Sequence, residues 1–254
     1  MKAIVLAAGY ATRLRPLTDT FAKPLLPVGG RPMLDWIVDR LDDVDAVDEI
    51  HVVTNSRYAA SFEEWRRGDD VTIHDDGTTT NDDRLGAIGD IRFVVEHAGI
   101  DDDLLVIAGD NLFEFSLAGF VDFWRGKAEA SAVGVYDVED RELAKQMGIV
   151  ALDDDDRVVE FVEKPDDPPS TLAATATYIY HRAHVPLVER YLAEGNSADQ
   201  PGRYVAWLHK VAPVYGFRFE GEWFDIGDKE QLLVADNKLR ARNGLPQRAE
   251  YSPS

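Results

Sequence analysis

Short, nearly continuous apolar runs alternate along this chain with longer stretches in which apolar residues return every three or four positions. Lys2 to Ala8 is such a run and stops at Gly9, the pattern of a central strand buried on both faces. In Pro32 to Val44, residues Met33, Leu34, Ile37, Val38 and Leu41 share one helical face. Pro32 suits a first turn, where its missing N–H has no partner to lose. Glu49 to Thr54 predicts a second strand, and Tyr58 to Arg67 a helix that ends at Gly68. Val71 to His74 predicts a short strand, Leu85 to His97 a helix closed by Gly99, and Leu104 to Ala108 an apolar strand that runs into Gly109-Asp110-Asn111. Such strict alternation implies a mostly parallel sheet with helices on both faces.

Beyond residue 110 the pattern changes. Ala130 to Tyr136, Gly148 to Leu152, Arg157 to Val162 and Ala173 to His181 predict strands, with Asp153 to Asp156 at a hairpin tip. Helices are expected near Val185 to Glu194 and Arg203 to Val211, a strand at Val214 to Glu220, and a last amphipathic helix at Lys229 to Arg242. The segment from Pro165 to Pro169 reads as a rigid loop, not a linker, and there is no internal repeat. The expected fold is α/β: one domain over residues 1–243 with a Rossmann-like, mostly parallel but mixed sheet, then a loosely held tail over 244–254.

Charge narrows the partners. The 254 residues carry 47 Asp plus Glu against 27 Lys plus Arg, a net −20, which disfavours nucleic acid and anionic membrane surfaces. No apolar run approaches the roughly 18 residues of a spanning helix. The first residues read as a strand, not a signal peptide, so a cytoplasmic protein is expected. The absence of cysteine removes disulfides, thiol nucleophiles and thiolate metal sites. Asp outnumbers Glu by 31 to 16, and Lys totals only 8, a texture that suggests a surface hydrated in concentrated salt, as in a halophilic cytoplasm. An ordinary acidic cytosolic enzyme is the alternative.

The densest chemistry lies in Leu6-Ala7-Ala8-Gly9-Tyr10-Ala11-Thr12-Arg13-Leu14 and on to Lys23-Pro24-Leu25-Leu26-Pro27. A glycine directly after a central parallel strand lets backbone turn sharply and approach a ligand, and ligands in such sheets bind beyond the strands' carboxyl ends. Arg13 and Lys23 bring cations suited to phosphates in a chain that has few. No Gly-Lys-Ser/Thr follows, and the G-x-G-x-x-G spacing is absent, so neither common phosphate loop fits. Gly9 alone would be an ordinary turn. Asp110, at a strand's carboxyl end, reads by itself as readily as a turn cap. Asp225, between Trp223-Phe224 and Ile226-Gly227, needs a partner if buried. The scattered histidines, including His181 and His184, read as structural.

LAAGYATRLRPLT and KPLLPVGGRPML resemble the signature of the sugar-nucleotide pyrophosphorylases, which include glucose-1-phosphate thymidylyltransferases and uridylyltransferases. Three further motifs follow in that family's order: Ala108-Gly109-Asp110-Asn111, Phe161-Val162-Glu163-Lys164-Pro165 and Trp223-Phe224-Asp225-Ile226-Gly227. The resemblance implies the nucleotide-diphospho-sugar transferase fold and transfer of a nucleotidyl group from a nucleoside triphosphate to a sugar 1-phosphate. It implies Arg13, Lys23, Asp110, Lys164 and Asp225 as catalytic, with Mg²⁺ on Asp110 and Asp225. Leu6, Ala8, Gly9, Asn81 and Gly86 would meet the nucleotide, and Gly148, Glu163 and Lys164 the sugar phosphate. Ala11 stands where the family commonly has glycine, and Asn81 where its pyrimidine enzymes usually have Gln. A homo-oligomer is expected. Fewer than thirty residues follow Gly227, so an added acetyltransferase domain is not expected. The alternatives are a non-catalytic regulatory or assembly subunit of the same fold, and a cytidylyltransferase acting on an alcohol phosphate.

Overall fold

The computed structural model describes residues 1–253. In chain order the elements begin with β1 (Lys2–Leu6), the two-residue ladder β2 (Pro27–Val28) and β3 (Arg31–Pro32), α1 (Met33–Asp42), β4 (Glu49–Thr54), α2 (Ala59–Trp65) and β5 (Val71–Asp75). Then come α3 (Ala87–Ala98), β6 (Leu104–Ala108), β7 (Asn111–Phe113), α4 (Leu117–Arg125), β8 (Ser131–Asp137), α5 (Arg141–Ala144), β9 (Gly148–Leu152) and β10 (Val158–Glu163). The chain finishes with β11 (Leu172–Tyr180), α6 (Leu187–Ala193), α7 (Pro201–Leu208), β12 (Val214–Arg218), β13 (Trp223–Asp225) and α8 (Lys229–Arg242).

One large mixed sheet runs β10-β9-β11-β6-β1-β4-β5, and β8 joins β11 to β12. The strands β6, β1, β4 and β5 are parallel, as the alternating first half predicts. Antiparallel β11 lies against β6 and so adds the second half to the same sheet. Parallel strands buried on both faces must be apolar throughout, and Ala3, Ile4 and Val5 of β1 are fully buried. Two cores flank the sheet. One packs α1, α2, α4 and α8 around Leu34, Ile37, Phe62, Phe120 and Leu232, and the other packs α3, α6 and α7 around Ile88, Ile91, Tyr191 and Tyr204.

Helix α4 and the small β7–β13 ladder are absent from the pattern reading above. Helix α4 had a signal: Leu117, Phe120, Val121 and Trp124 are buried on one face, and the Ser116 hydroxyl accepts the Gly119 N–H at 3.1 Å as an N-cap. The three-residue strands had none, because a strand that short has no period to read. The segment after Gly244 folds back: Asn237 donates to the Arg248 carbonyl at 2.8 Å, Arg240 to the Pro246 carbonyl at 2.6 Å, and the Tyr251 hydroxyl to the Pro27 carbonyl at 2.9 Å.

Between β4 and β5, His51 and His74 share a buried hydrogen bond of 2.9 Å, with His97 at the edge of the His74 ring. His184 bonds the Ser131 hydroxyl at 2.9 Å. Burial, then the neighbouring His51 and His97, pushes His74 down to about 4. The unfolded chain therefore binds more protons than the fold between pH 6.5 and 4, and stability falls as pH falls through that window. In urea denaturation, wild type is expected to lose about 2 kcal/mol more than His74→Gln between pH 7 and 4.5. Equal losses would remove His74 as the cause.

Candidate active site

From β1 the chain moves outward to β4 and β5, then returns to place β6 on the other side of β1. The crevice beyond the carboxyl ends of β1 and β6 is therefore the switch point of the sheet, where open α/β folds bind ligands. A cleft of about 480 Å³ opens there. Gly109 permits the geometry: its N–H donates to the Leu6 carbonyl at 2.8 Å, and a Cβ would sit 2.9 Å from that same oxygen. A narrower hollow of about 100 Å³, between Trp36 and Arg242, is too small for a nucleotide and lies behind Asn111.

The loop after β1 is held from both sides. Asn55 donates to the Ala8 carbonyl at 2.8 Å, and the Thr18 hydroxyl donates to the Ala11 carbonyl at 3.0 Å. Ala11 takes the left-handed conformation, φ 43° and ψ 48°. So the departure from glycine leaves the backbone in a glycine-like shape, at a strain of about 1 kcal/mol. Lys164 (φ 48°) and Ala176 (φ 52°, in the irregular stretch of β11) are strained in the same sense. Backbone strain of this kind gathers at functional sites because the surrounding structure must enforce it.

The ionic centre joins three segments. Lys23, in a single 3₁₀ turn and nearly buried, donates to Asp110 Oδ2 at 2.6 Å. Asn111 Nδ2 donates to Asp110 Oδ1 at 3.0 Å, and Trp223 Nε1 donates to Asn111 Oδ1 at 2.7 Å. Both Asp110 oxygens are thus oriented. Antiparallel pairing of β13 with β7 sets Asp225 opposite Asn111, and the Ile226 N–H reaches the Asp110 carbonyl at 3.3 Å. Both carboxyls line the cleft, Asp110 half-exposed and Asp225 exposed. Burial works to raise Asp110, but the Lys23 charge and hydrogen bond, with Asn111, hold it below the usual carboxylate range. Burial and then the Asp110 charge raise Asp225, against the pull of Lys23, Arg13 and Lys164. Arg13 is exposed in the cleft with its guanidinium against Gly227, where a Cβ would lie 3.4 Å from Nη1.

At the opposite end, Gly86 (φ 78°) starts α3, and a Cβ there would lie 2.7 Å from the Ala198 carbonyl oxygen. Only glycine allows α3 to begin so close to that strand of chain. Arg84 grips Asp199 through two bonds of 2.9 Å and also donates to the Asn81 carbonyl, tying the Asn81 turn to the start of α7.

A family model described as nucleotidyl transferase matches residues 2–242. The chain belongs to the nucleotidyl transferase family. It is 28% identical over 239 residues to the bifunctional protein GlmU of Methanocaldococcus jannaschii, covering 94% of this chain and 54% of that one. It is 30% identical to a UTP–glucose-1-phosphate uridylyltransferase of Synechocystis, covering 89% and 60%. A low-salt glycan biosynthesis nucleotidyltransferase, Agl11 of Haloferax volcanii, is 26% identical over 99% of this chain and 70% of its own. The chain thus spans little more than half the length of the first two. A candidate glucose-1-phosphate thymidylyltransferase of Bacillus anthracis, in complex with sucrose, superposes with a TM-score of 0.79 at 25% identity, over 94% of this chain and 95% of that one.

Of the residues singled out from the sequence of this family member, Leu6, Ala8, Gly9, Arg13, Lys23, Asn81, Gly86, Asp110 and Asp225 line one cleft. Gly148, Glu163 and Lys164 do not. They form a shelf beside it: a Cβ on Gly148 would lie 2.9 Å from Glu163 Oε2, and the Lys164 N–H bonds the Met147 carbonyl at 2.9 Å. The Lys164 charge still acts on Asp225. Sequence reasoning left out Tyr10, Asp76, Arg84, Asp90 and Asp199, all of which line the cleft. Four of these are charged residues in a chain crowded with charge, so composition could not single them out.

Proposed function

We propose that this chain transfers a nucleotidyl group from a nucleoside triphosphate to a sugar 1-phosphate, releasing pyrophosphate. One observation carries the reading: two cations and two carboxylates from three distant stretches of the sequence converge at the sheet's switch point, beside a backbone loop suited to phosphate. The named relatives that act on glucose 1-phosphate support it.

No group of three or more His, Cys, Asp or Glu side chains suited to a metal exists among the described residues. Asp110 and Asp225 nevertheless fit Mg²⁺, which takes one or two carboxylates and completes its shell with phosphate oxygens and water. Their mutual repulsion is the strain that a cation would relieve. When bound there, Mg²⁺ neutralises phosphate charge. The protein's own part is alignment. Arg13 holds the departing pyrophosphate, Lys23 faces the α-phosphate region, and Lys164, with Glu163 and Gly148, seats the sugar phosphate. The attacking phosphate oxygen has a second pKa near 6 and is already ionised at neutral pH, so the in-line displacement needs no general base. Positioning and charge neutralisation do the chemistry.

Among the described residues no helix is long and apolar enough to cross a membrane. A cytoplasmic, homo-oligomeric enzyme that works in concentrated salt completes the proposal. If so, the melting midpoint should climb from low salt toward molar KCl as self-repulsion at −20 is screened, and substrate KM should fall over the same range. A flat midpoint sinks the salt adaptation, and an unchanged KM its electrostatic part. Pyrophosphate release from dTTP, UTP, CTP, GTP and ATP with several sugar 1-phosphates tests the activity itself. Release only with an alcohol phosphate and CTP, or with no pair at all, overturns it in favour of a cytidylyltransferase or a non-catalytic subunit.

A further inference from the structure

Asp236, in the middle of α8, is only 1% exposed, and the proposed chemistry gives it no part. Burying a carboxyl is costly, so its contacts should show what keeps it there. Its Oδ1 accepts the Gly29 N–H at 2.8 Å. Its Oδ2 has no hydrogen-bond donor among the described residues, and Arg248 Nε stands 3.9 Å from it. At the far end of α8, Asn243 Nδ2 donates to the Gly29 carbonyl at 2.8 Å. Both polar groups of Gly29 are thus held by side chains of one helix. Gly29 lies so close to that helix that a Cβ would come within 2.6 Å of Leu239 Cβ, and its φ of 67° suits glycine alone.

The segment that leads back from Gly29 to Lys23 is stiff. Pro24 and Pro27 fix their own φ, and Leu26 and Val28 are fully buried. The Leu26 N–H donates to the Lys23 carbonyl at 3.0 Å, and the Met33 N–H to the Leu26 carbonyl at 3.1 Å. The Pro27 carbonyl accepts the Tyr251 hydroxyl and the Val28 carbonyl accepts Trp36 Nε1, at 2.9 Å each. A shift at Gly29 therefore reaches Lys23 instead of dying out in a loose loop. The same helix holds the other side of the ionic centre. Asp228 caps α8 by accepting the Gln231 N–H at 2.9 Å, and Gln231 Oε1 accepts the Gly227 N–H at 2.6 Å. Gly227 follows Asp225 closely and backs onto the Arg13 guanidinium. One helix thus grips both the Lys23 segment and the Asp225 turn.

Resting on the nucleotidyl-transfer reading, we propose that Asp236 is a positioning residue for the reaction: from α8 it fixes Gly29, and through the stiff segment it sets the Lys23 ammonium in register with the Asp225 turn. Asp236 itself touches no substrate. Its effect runs through Lys23, whose ammonium must meet Asp110 and the transferred phosphate at once. In a reaction driven by alignment, a small displacement of that cation lowers the rate without emptying the cleft. A hydrogen bond that only braced a hairpin tip would cost stability when lost and leave the ammonium in place.

Turnover of the full chain at saturating substrates, measured where melting curves show each variant folded, tests this. Asp236→Ala should lower kcat at least about tenfold, since a misplacement near 1 Å can cost more than that in an aligned reaction. Asp236→Asn keeps an oxygen for the Gly29 N–H and should restore most of the turnover. Asn243→Ala frees the other side of Gly29 from an exposed position and should lower kcat in the same direction, by less. It decides the matter should Asp236→Ala not fold. The sharpest readout is non-additivity. In a Lys23→Met background either alanine substitution should cost less than about twofold, because the ammonium it positions is gone. A loss that multiplies with that of Lys23→Met, an unchanged kcat in the folded single variants, or a folded Asp236→Asn as slow as Asp236→Ala overturns the assignment. If wild type transfers and the variants match it, only this inference falls. If wild type releases no pyrophosphate with any substrate pair, the transfer reading falls and takes this inference with it.

Discussion

Arg13→Ala should lower turnover more than a hundredfold while moving the melting temperature by no more than about 2 °C. The two halves of this result have separate causes. Arg13 is exposed and has no hydrogen-bond partner among the described residues, so its loss leaves no buried group unsatisfied. Surface changes of this kind usually stay within about 0.5 kcal/mol. Its guanidinium nonetheless lies in the cleft against Gly227, within the field of Asp225. A planar fork held there matches a departing pyrophosphate, whose charge grows as the P–O bond breaks. Losing such a preorganised contact costs roughly 3–4 kcal/mol in the transition state. Steady-state kinetics of the variant with the active substrate pair, beside its melting curve, measure both. Near-normal turnover would take Arg13 out of the mechanism, and a collapsed melting temperature would make its role structural.

Lys23→Met should fail in both respects. Here the cation is buried and its partner is Asp110, which already faces the Asp225 carboxyl. Removing the ammonium leaves Asp110 desolvated and next to a like charge. Breaking a fully buried pair costs roughly 3–5 kcal/mol; cleft water reaches Asp110, so about 2–3 kcal/mol is expected. Turnover should fall at least a hundredfold as well, through loss of charge opposite the α-phosphate. Adding Asp110→Asn separates the two effects. The double variant should recover most of the stability, because no bare charge is left behind, and none of the activity. A double variant no more stable than Lys23→Met alone would show that Lys23 stabilises by packing rather than by pairing.

Much of this was open to reading in the chain. The apolar run of β1 ending at Gly9, the alternation through β6, and the spacing of four motifs pointed to the sheet, the family and most cleft residues. They could do so because each depends on neighbours in the chain: a strand buried on both faces must be apolar, and a turn after it needs a small residue. Helix α4 was equally legible through Ser116 and its apolar face. Ala11 was visible as a departure, but that its backbone keeps the left-handed shape is set by Asn55 and Thr18, which grip the loop from outside.

What no local pattern holds is which distant groups meet. Asp225 comes to Asp110 through a three-residue ladder too short to have a period. Gly109 must be glycine because the Leu6 carbonyl lies beneath it, a fact of strand order. Asp90 is one among 31 aspartates until α3 takes it out of water near Asp76, where burial and the Asp76 charge push its carboxyl up to about 8 and it keeps its proton. The sequence by itself determined the layers, the loop chemistry and the family, because these follow from short-range periodicity and residue type. Tertiary structure decided which carboxylates pair, which cation is buried and which acid keeps its proton, because those depend on desolvation and distance, and both exist only once the chain has folded.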